Sequence, residues 1–176
     1  MASSIVGSQQ DNRAGVYGLL IQNMSIYQIR AHYLFYSVIR KLYVGQSLNL
    51  SDIQNRSLIQ TYISCDLFGK TVFKSEYDKE HASYLYEHIM HGLCRLNLIE
   101  AGFVFGSSQH ISSFGPPNVS KPGLIFQPAI IGIELFLWIN MLSEKTISNT
   151  IIDPKAKFTD LVDIEPSNEA FRLPNT

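Results

Sequence analysis

The chain has 176 residues, of which 45% are hydrophobic and 16% are charged, and its formal net charge is −1. This length fits one domain with a core of its own, and the charged fraction is below the roughly 25% typical of soluble domains. A nearly neutral chain lacks the dense positive face that sequence-independent nucleic-acid binding requires. A surface so poor in charge predicts contacts with a partner or a second copy.

The chain carries no pattern typical of secretion or of a membrane span. Its two cysteines, Cys65 and Cys94, form neither a disulfide framework nor a zinc-binding spacing. The N-terminal residues lack the apolar core of a signal peptide. The longest apolar run, 129–142, contains Glu134 and Asn140 and is shorter than the roughly 20 residues that a spanning helix needs. We therefore expect a cytoplasmic protein.

The first strong helical pattern follows a small, polar stretch, residues 1–15, that we expect to be a flexible arm. Ser25 is a good N-cap, and no helix breaker follows before Gly45. Apolar residues line two sides of this helix, which is typical of burial on both sides. We expect a central helix whose oligomer interface consists of Ile29, Tyr33, Tyr36 and Tyr43.

Two further amphipathic helices are predicted. One begins at Ser51 or Asp52, runs to about Gly69, and has apolar residues at Ile53, Leu58, Ile59, Tyr62 and Ile63. The next covers about 79–97 and buries Ala82, Leu85, Ile89, Leu93 and Leu96 at helical spacings.

A hairpin is predicted directly after this helix. Aromatic and β-branched residues at 103–105 predict a strand that ends at Gly106, and 124–126 predict its partner. The segment between them is rich in serine, glycine and proline, which is typical of a loop. Pro128 suits the first turn of a last, strongly apolar helix. A helix followed at once by a two-stranded hairpin is the layout of a winged helix.

The predicted fold is therefore mainly α, a winged-helix-like helical domain with a small two-stranded antiparallel β-hairpin. Residues 16–150 form the single helical domain, and about 51–142 form its winged-helix module. From Asp153 onward the chain is charged and poor in aromatics, so 151–176 are expected to be an extended or disordered tail. Its expected docking points are Phe158, Leu161, Val162 and Phe171.

No catalytic or metal-binding pattern stands out from the residues. His88, His91 and Cys94 are spaced by three, but such ligands spiral around a helix and do not converge on one ion. Both cysteines lie among aliphatic residues, where a reactive thiolate is not stabilised. Glycine-rich nucleotide-binding motifs are absent from the sequence. We expect no metal, no cofactor and no catalytic residues, and a role in binding.

A winged helix also predicts a way to bind duplex DNA. In that geometry the helix before the hairpin enters the major groove, and the hairpin tip contacts the backbone or minor groove. The residues that would do this are Lys79, Ser83, Tyr86, Glu87, Met90 and His91 in the helix and Gln109, His110 and Lys121 in the wing. Acidic and apolar residues stand where arginines would favour DNA. The alternative is a winged helix that binds protein or dimerises.

One stretch resembles a known family. The segment HGLCRLNLIEAG, the variable loop after it and the strand leading to GIELFLWIN are similar to the C-terminal winged-helix portion of bacterial Abi-alpha-like proteins. The matching positions are Leu96, Leu98, Ile99, Glu100, Pro128, Gly132, Glu134, Leu135 and Phe136. Gln127 replaces the usual Thr, and three residues lengthen the step to Gly132. The resemblance, over about 84–140, implies a role in abortive infection against phage.

These observations lead to two main hypotheses, and an enzyme that uses His88 or His91 is a third. The first is a non-enzymatic interaction or regulatory protein, a component of bacterial antiphage defence, that forms a homo-oligomer or binds a protein partner. The second is a winged-helix transcriptional regulator that binds duplex DNA.

Overall fold

The described chain is built of helices around a small sheet. The computed structural model describes residues 8–74, 82–114, 119–142, 148–159, 161–162 and 169–173. Its α-helices are α1 (Ser8–Gln22), α2 (Ile26–Tyr43), α3 (Ile53–Ser57), α4 (Cys65–Val72), α5 (Ala82–Arg95), α6 (Ser108–Ser112) and α7 (Ile130–Ile139). Its strands are β1 (Thr61–Ser64), β2 (Val104–Gly106), β3 (Gly123–Phe126) and β4 (Ala170–Arg172), and Ser148–Ile151 form a 3-10 helix.

Helix α2 lies at the centre of the fold, with the bounds that its caps predict. Ser25 Oγ accepts a hydrogen bond from the Gln28 backbone, and the Gln28 side chain accepts one from the Ser25 N–H. This capping box satisfies two of the N–H groups that a helix start leaves open. At the other end Gly45 takes a positive φ of 80°, which glycine adopts without strain. Helices α4, α5 and α7 all pack against α2.

The four strands form one antiparallel sheet in the order β2-β3-β1-β4. Strand β1 is central, pairing Tyr62 with Ile125 of β3 on one side and with Phe171 of β4 on the other. Alternate residues face opposite sides of a sheet. Ile63 accordingly lies in the main core, whereas Tyr62 belongs to a second apolar cluster.

The predicted fold class is wrong: the protein is a helix-rich α/β structure with a four-stranded sheet, not a mainly α domain with a two-stranded hairpin. The predicted pair corresponds to β2 and β3, which are half of that sheet. Residues 61–64 were predicted to be helical because Ile59, Tyr62 and Ile63 also fit a helical spacing. All four residues of β1 are buried, and a short apolar strand buried on both faces shows no alternation that separates it from a helix.

The main core lies between the inner sheet face and helices α2, α4, α5 and α7. Its aromatic centre includes Phe35, which stacks on Phe126 with ring centroids 4.1 Å apart, and Phe68, 5.7 Å from Phe35. A smaller cluster, here called the outer cluster, covers the opposite face of the sheet. Its buried members are Tyr62, Ile111, Val119, Ile125 and Leu173. Both faces of the sheet are therefore covered by the chain itself.

Arg40 is a main contact between α2 and the segment 148–158. Buried Arg40 donates hydrogen bonds to the backbone carbonyls of Ile151, Asp153 and Ala156, at 3.0, 2.6 and 2.9 Å. Its guanidinium also lies 4.9 Å from the ring centroid of Phe158. Ile151 and Ile152 are buried in the core. The composition predicts an extended or disordered tail here, and the described part of it is packed and hydrogen-bonded.

Candidate interaction surface

Helix α5 turns a different face to solvent from the one predicted to contact DNA. Its exposed side chains are Tyr84, Leu85, Glu87, His88, His91 and Arg95. Tyr86 and Met90, both predicted DNA contacts, lie in the core, where Tyr86 donates a hydrogen bond of 2.8 Å to the Cys65 carbonyl. The buried side of α5 consists of Tyr86, Ile89, Met90 and Leu93. It is rotated from the buried side that the sequence predicts, which includes Leu85, a side chain that is exposed.

The other DNA contacts predicted in this helix fall into two groups, those outside the described residues and those exposed to solvent. Lys79 and the side chain of Ser83 lie outside the described residues. His91 is exposed, and its ring meets Phe103 edge-on with centroids 5.1 Å apart. Of the predicted helical contacts, Glu87 and His91 are thus the described side chains that face solvent.

The described parts of the segment between β2 and β3, residues 107–114 and 119–122, pack over the sheet through Ile111 and Val119. Ser107 caps the short helix α6, accepting a hydrogen bond from the His110 backbone. Ile111 of α6 and Val119 are buried in the outer cluster. Gln109 and His110, the predicted wing contacts, remain exposed on α6. A wing anchored by buried apolar residues is already packed against its own domain.

Lys121, the predicted wing cation, lies between two carboxylates. Its Nζ is 3.3 Å from Asp66 Oδ2 and forms an ion pair with Glu169, which also accepts a hydrogen bond from the Ser64 hydroxyl. The hydrogen bond to Glu169 is the main cause of a raised Lys121 pKa. The same bond lowers the pKa of Glu169, with a further contribution from Ser64. We call these four residues the Lys121 cluster; in it the positive charge is already matched by two negative ones.

The predicted oligomer face of α2 belongs largely to the interior of one chain. Tyr36 and Tyr43 are buried, so they are not available to a second copy. The Tyr36 hydroxyl donates to the Leu98 carbonyl at 2.5 Å, and that of Tyr43 donates to the Gln60 carbonyl at 2.8 Å. Ile29 and Tyr33 are half-buried and also pack against the core. Helix α2 is apolar on two sides because it packs against other elements of the same chain on both.

Large apolar side chains are exposed elsewhere, on α1 and at the C-terminal end of α7, two elements that Tyr17 joins. Tyr17 of α1 contacts Trp138 of α7, with ring centroids 5.5 Å apart, and its hydroxyl donates to Glu134 at 3.2 Å. Four large apolar side chains of α1, the end of α7 and the turn after it are exposed: Val16, Leu19, Ile139 and Met141. We call them the α1/α7 surface. Sequence patterns did not indicate this surface because α1 begins within the expected flexible arm.

The cysteines and histidines do not form a reactive group in the described structure. Burial raises the pKa of the Cys65 thiol to about 12 and that of Cys94 to about 11, so neither is a thiolate at neutral pH. Cys94 Sγ lies 3.5 Å from the Glu100 carbonyl oxygen. Within the described residues no three His, Cys, Asp or Glu side chains are placed to share a metal ion.

An open groove lies between the loop after α2 and the 3-10 helix. Its volume is about 510 Å³, and it is lined by residues 45–48, 149–150 and 152–154. Among the described residues of that lining, Asp153 is the one ionisable side chain. General acid–base catalysis requires a titratable group positioned against a reacting atom, usually with a partner that tunes it. The groove offers no such pair.

None of the helices in the described ranges combines the length and the apolar character needed to cross a bilayer. No protein-family model, curated protein sequence or solved structure matches the chain.

Proposed function

We propose that this protein is a non-enzymatic interaction or regulatory protein that associates through the α1/α7 surface with a second copy of itself. The observation that carries the proposal is the exposure of Val16 and Leu19 on α1 and of Ile139 and Met141 at the end of α7, two elements joined by the Tyr17–Trp138 contact. Exposed apolar side chains grouped on packed elements are typical of interaction sites, whereas scattered ones need no explanation. Met141 is 91% exposed, so covering it would remove a large apolar area from water.

Sedimentation velocity over a range of protein concentrations tests this association. Leu19→Glu places a charge in the α1/α7 surface and is expected to abolish the dimers that form through this surface. Ile53→Glu is the matched control, because Ile53 on α3 is 64% exposed and Leu19 is 61% exposed. A wild-type chain that stays monomeric at high micromolar concentration, or a dimer lost equally in both variants, would contradict the proposal.

DNA binding is the second candidate, favoured by the exposed stripe of α5. Tyr84, His88, His91 and Arg95 could meet a groove, and Gln109 and His110 are exposed on α6. Two observations weigh against it: Glu87 lies within the stripe, and Lys121 is already paired with Asp66 and Glu169. Phosphate contacts supply most non-specific affinity, and Arg95 is the one arginine or lysine in the described part of the stripe.

Fluorescence anisotropy with a labelled duplex at low and at near-physiological salt decides between the two candidates. The interaction hypothesis expects no saturable binding even at low salt. Saturable binding whose affinity falls steeply with salt would favour the regulator, since each neutralised phosphate releases counterions. Arg95→Ala should then weaken binding, and Arg13→Ala on α1 serves as the control cation.

Antiphage defence is the biological setting that the resemblance at 84–140 supports. Expression in a sensitive bacterial host should reduce phage plaque formation, and Leu19→Glu should restore it while Ile53→Glu does not. Equal numbers of phage plaques on the strains with the wild-type protein, Leu19→Glu and Ile53→Glu would contradict a role in antiphage defence. That result would not contradict the proposed self-association.

A further inference from the structure

Residues 169–173, here called the β4 segment, lie along the edge of β1. Each of the five residues contacts the surface that the rest of the protein forms there, and we call this surface the receptor. Main-chain hydrogen bonds fix its register, because the Ser64 N–H donates to the Glu169 carbonyl at 2.7 Å and the Leu173 N–H donates to the Gln60 carbonyl at 2.9 Å. Between these bonds β4 pairs antiparallel with β1. Such pairing of an extended segment with a strand edge is a common mode of peptide recognition.

The charged half of the receptor consists of Ser64, Asp66 and Lys121, the members of the Lys121 cluster that lie outside the β4 segment. The Glu169 carboxylate accepts hydrogen bonds from the Ser64 hydroxyl and from Lys121 Nζ. Ser64 is also the N-cap of α4, so the carboxylate lies near a helix N-terminus, where negative charge is favourable. This end of the receptor selects an acidic residue.

The other half of the receptor is aromatic and apolar. Phe171 stacks on Tyr62 with ring centroids 4.5 Å apart. The Arg172 guanidinium lies 4.7 Å from the Tyr43 ring centroid and donates to the Leu42 carbonyl. Ala170 and Leu173 are buried. The order selected is therefore acidic, small, aromatic, basic and aliphatic.

The receptor is formed by elements that have a core without the β4 segment. Of that segment only Ala170 belongs to the main core, which consists otherwise of residues from the helices, β1, β3 and their connections. Leu173 and Phe171 contact the smaller outer cluster. Withdrawal of the segment would uncover the β1 edge while most of the apolar core stayed packed.

We propose that the β1 edge also accepts the β4 segment of a second copy, so that two chains exchange these strands reciprocally. Every contact made within one chain would then be remade between chains, which is why strand exchange is a low-cost route to a two-fold dimer. Protein concentration sets the balance, because the segment of the same chain competes at a high effective concentration. The inference goes beyond the α1/α7 surface and does not depend on it.

A reciprocal charge reversal in the full chain tests the exchange. Lys121→Glu and Glu169→Lys each place like charges at this contact within one chain. In a mixture, the lysine introduced at position 169 of one variant can pair with the glutamate introduced at position 121 of the other, and the unaltered Glu169 and Lys121 can pair in return. All chains in this test also carry Leu19→Glu, which removes dimers formed through the α1/α7 surface. Native mass spectrometry with one variant isotopically labelled should show heterodimers at least about tenfold above the homodimers of either variant alone. The double variant, whose pair is restored within one chain, is expected to match the chain with Leu19→Glu alone.

A mixture with no more heterodimer than the separate variants have homodimer would overturn the proposal. Circular dichroism checks that both variants fold. If one does not, a labelled peptide of residues 166–176 is titrated into the full wild-type chain and into Arg172→Ala. The proposal expects tighter peptide binding by Arg172→Ala, whose own segment has lost its contacts with Tyr43 and Leu42. Equal binding, or binding by neither, would reject it.

Discussion

Lys121 and Glu169, 48 residues apart in the sequence, form an ion pair where β1 ends and α4 begins. The lysine belongs to the segment between β2 and β3, and the glutamate precedes β4. Tyr62 on β1 adds a hydrogen bond from its hydroxyl to the Lys121 carbonyl at 3.1 Å. This one pair therefore joins the segment between β2 and β3, the sheet and the β4 segment.

The first prediction concerns the acid sensitivity of this pair. The pKa of Glu169 is lowered in the folded state, so the ionised carboxylate stabilises the fold above its ordinary pKa of 4.5. This stabilisation is lost as the pH falls through the lowered folded value. The melting temperature of Glu169→Gln should thus lie below that of the wild type at pH 7, with the gap closing below about pH 4.5. Glu87→Gln, on the exposed side of α5, should show no such gap, and a gap independent of pH would contradict the assignment.

A second pH effect is expected from His32 in a higher range. Burial lowers its pKa from 6.5 to about 4, and Nε2 donates to the Gly132 carbonyl at 3.0 Å. Below pH 6.5 His32 is protonated in the unfolded chain, whereas in the folded chain it stays neutral until about pH 4. Stability is therefore full above pH 6.5 and falls towards pH 4, by up to about 3 kcal/mol.

Urea unfolding at pH 7 and pH 5 measures the His32 effect. His32→Gln can keep a donor near the carbonyl but does not titrate, so its free energy of unfolding should change less between these pH values. An equal change in both proteins would show that His32 is not the group responsible.

Gly132→Ala is expected to be strongly destabilising. A Cβ at this position would overlap the Tyr36 hydroxyl and the Leu98 carbonyl oxygen, and the latter is backbone that cannot rotate away. Forcing extra volume into a packed site costs about 1–3 kcal/mol, and here it also disturbs the Tyr36–Leu98 hydrogen bond. Gly18→Ala in α1, where a Cβ meets nothing within 4 Å, is the control and should be neutral or slightly stabilising. Chemical denaturation of the two variants compares them directly.

Arg40→Lys should release the 148–158 segment from α2. A lysine has one ammonium group and cannot reproduce the planar fork that reaches three carbonyls and lies over Phe158. Hydrogen bonds from a charged donor contribute roughly 1.5–3 kcal/mol each, so we expect a loss of at least about 2 kcal/mol. Hydrogen exchange should accelerate in peptides covering 149–158 but not in those covering α5. Unchanged exchange would show that the arginine does not hold this segment.

The elements that local chemistry determines could be predicted from sequence. The helix expected between Ser25 and Gly45 is confirmed as α2, Ile26–Tyr43, because the capping box and the glycine lie within a few residues of its ends. Strand β1 could not be predicted in this way. Its residues form a strand because β3 and β4 supply partners from distant parts of the chain. Pairing with such distant strands has no effect on the spacing of apolar residues within β1.

The exposed face of α5 and the pairing of Lys121 could be predicted only in part, because both depend on contacts between distant parts of the chain. That α5 is amphipathic follows from its sequence, but a rotation that exposes Leu85 and buries Met90 depends on how α5 packs. The pairing of Lys121 with Asp66 and Glu169 joins three distant positions, so a lysine in a polar loop carried no indication of it. The wide apolar surface of α2 was recognised correctly, and the same chain covers most of it.

The pairing of β1 with β4 has a consequence for the order of folding. Ser64 and Glu169 are 105 residues apart, so a ribosome completes most of the domain before the edge of β1 can be covered. At roughly 5–20 residues per second that interval lasts several seconds or more. During it, Thr61–Ser64 present the unpaired backbone N–H and C=O groups of a strand edge to neighbouring nascent chains. Chaperone demand should therefore be highest late in synthesis, and chains interrupted before residue 170 should be the ones that aggregate.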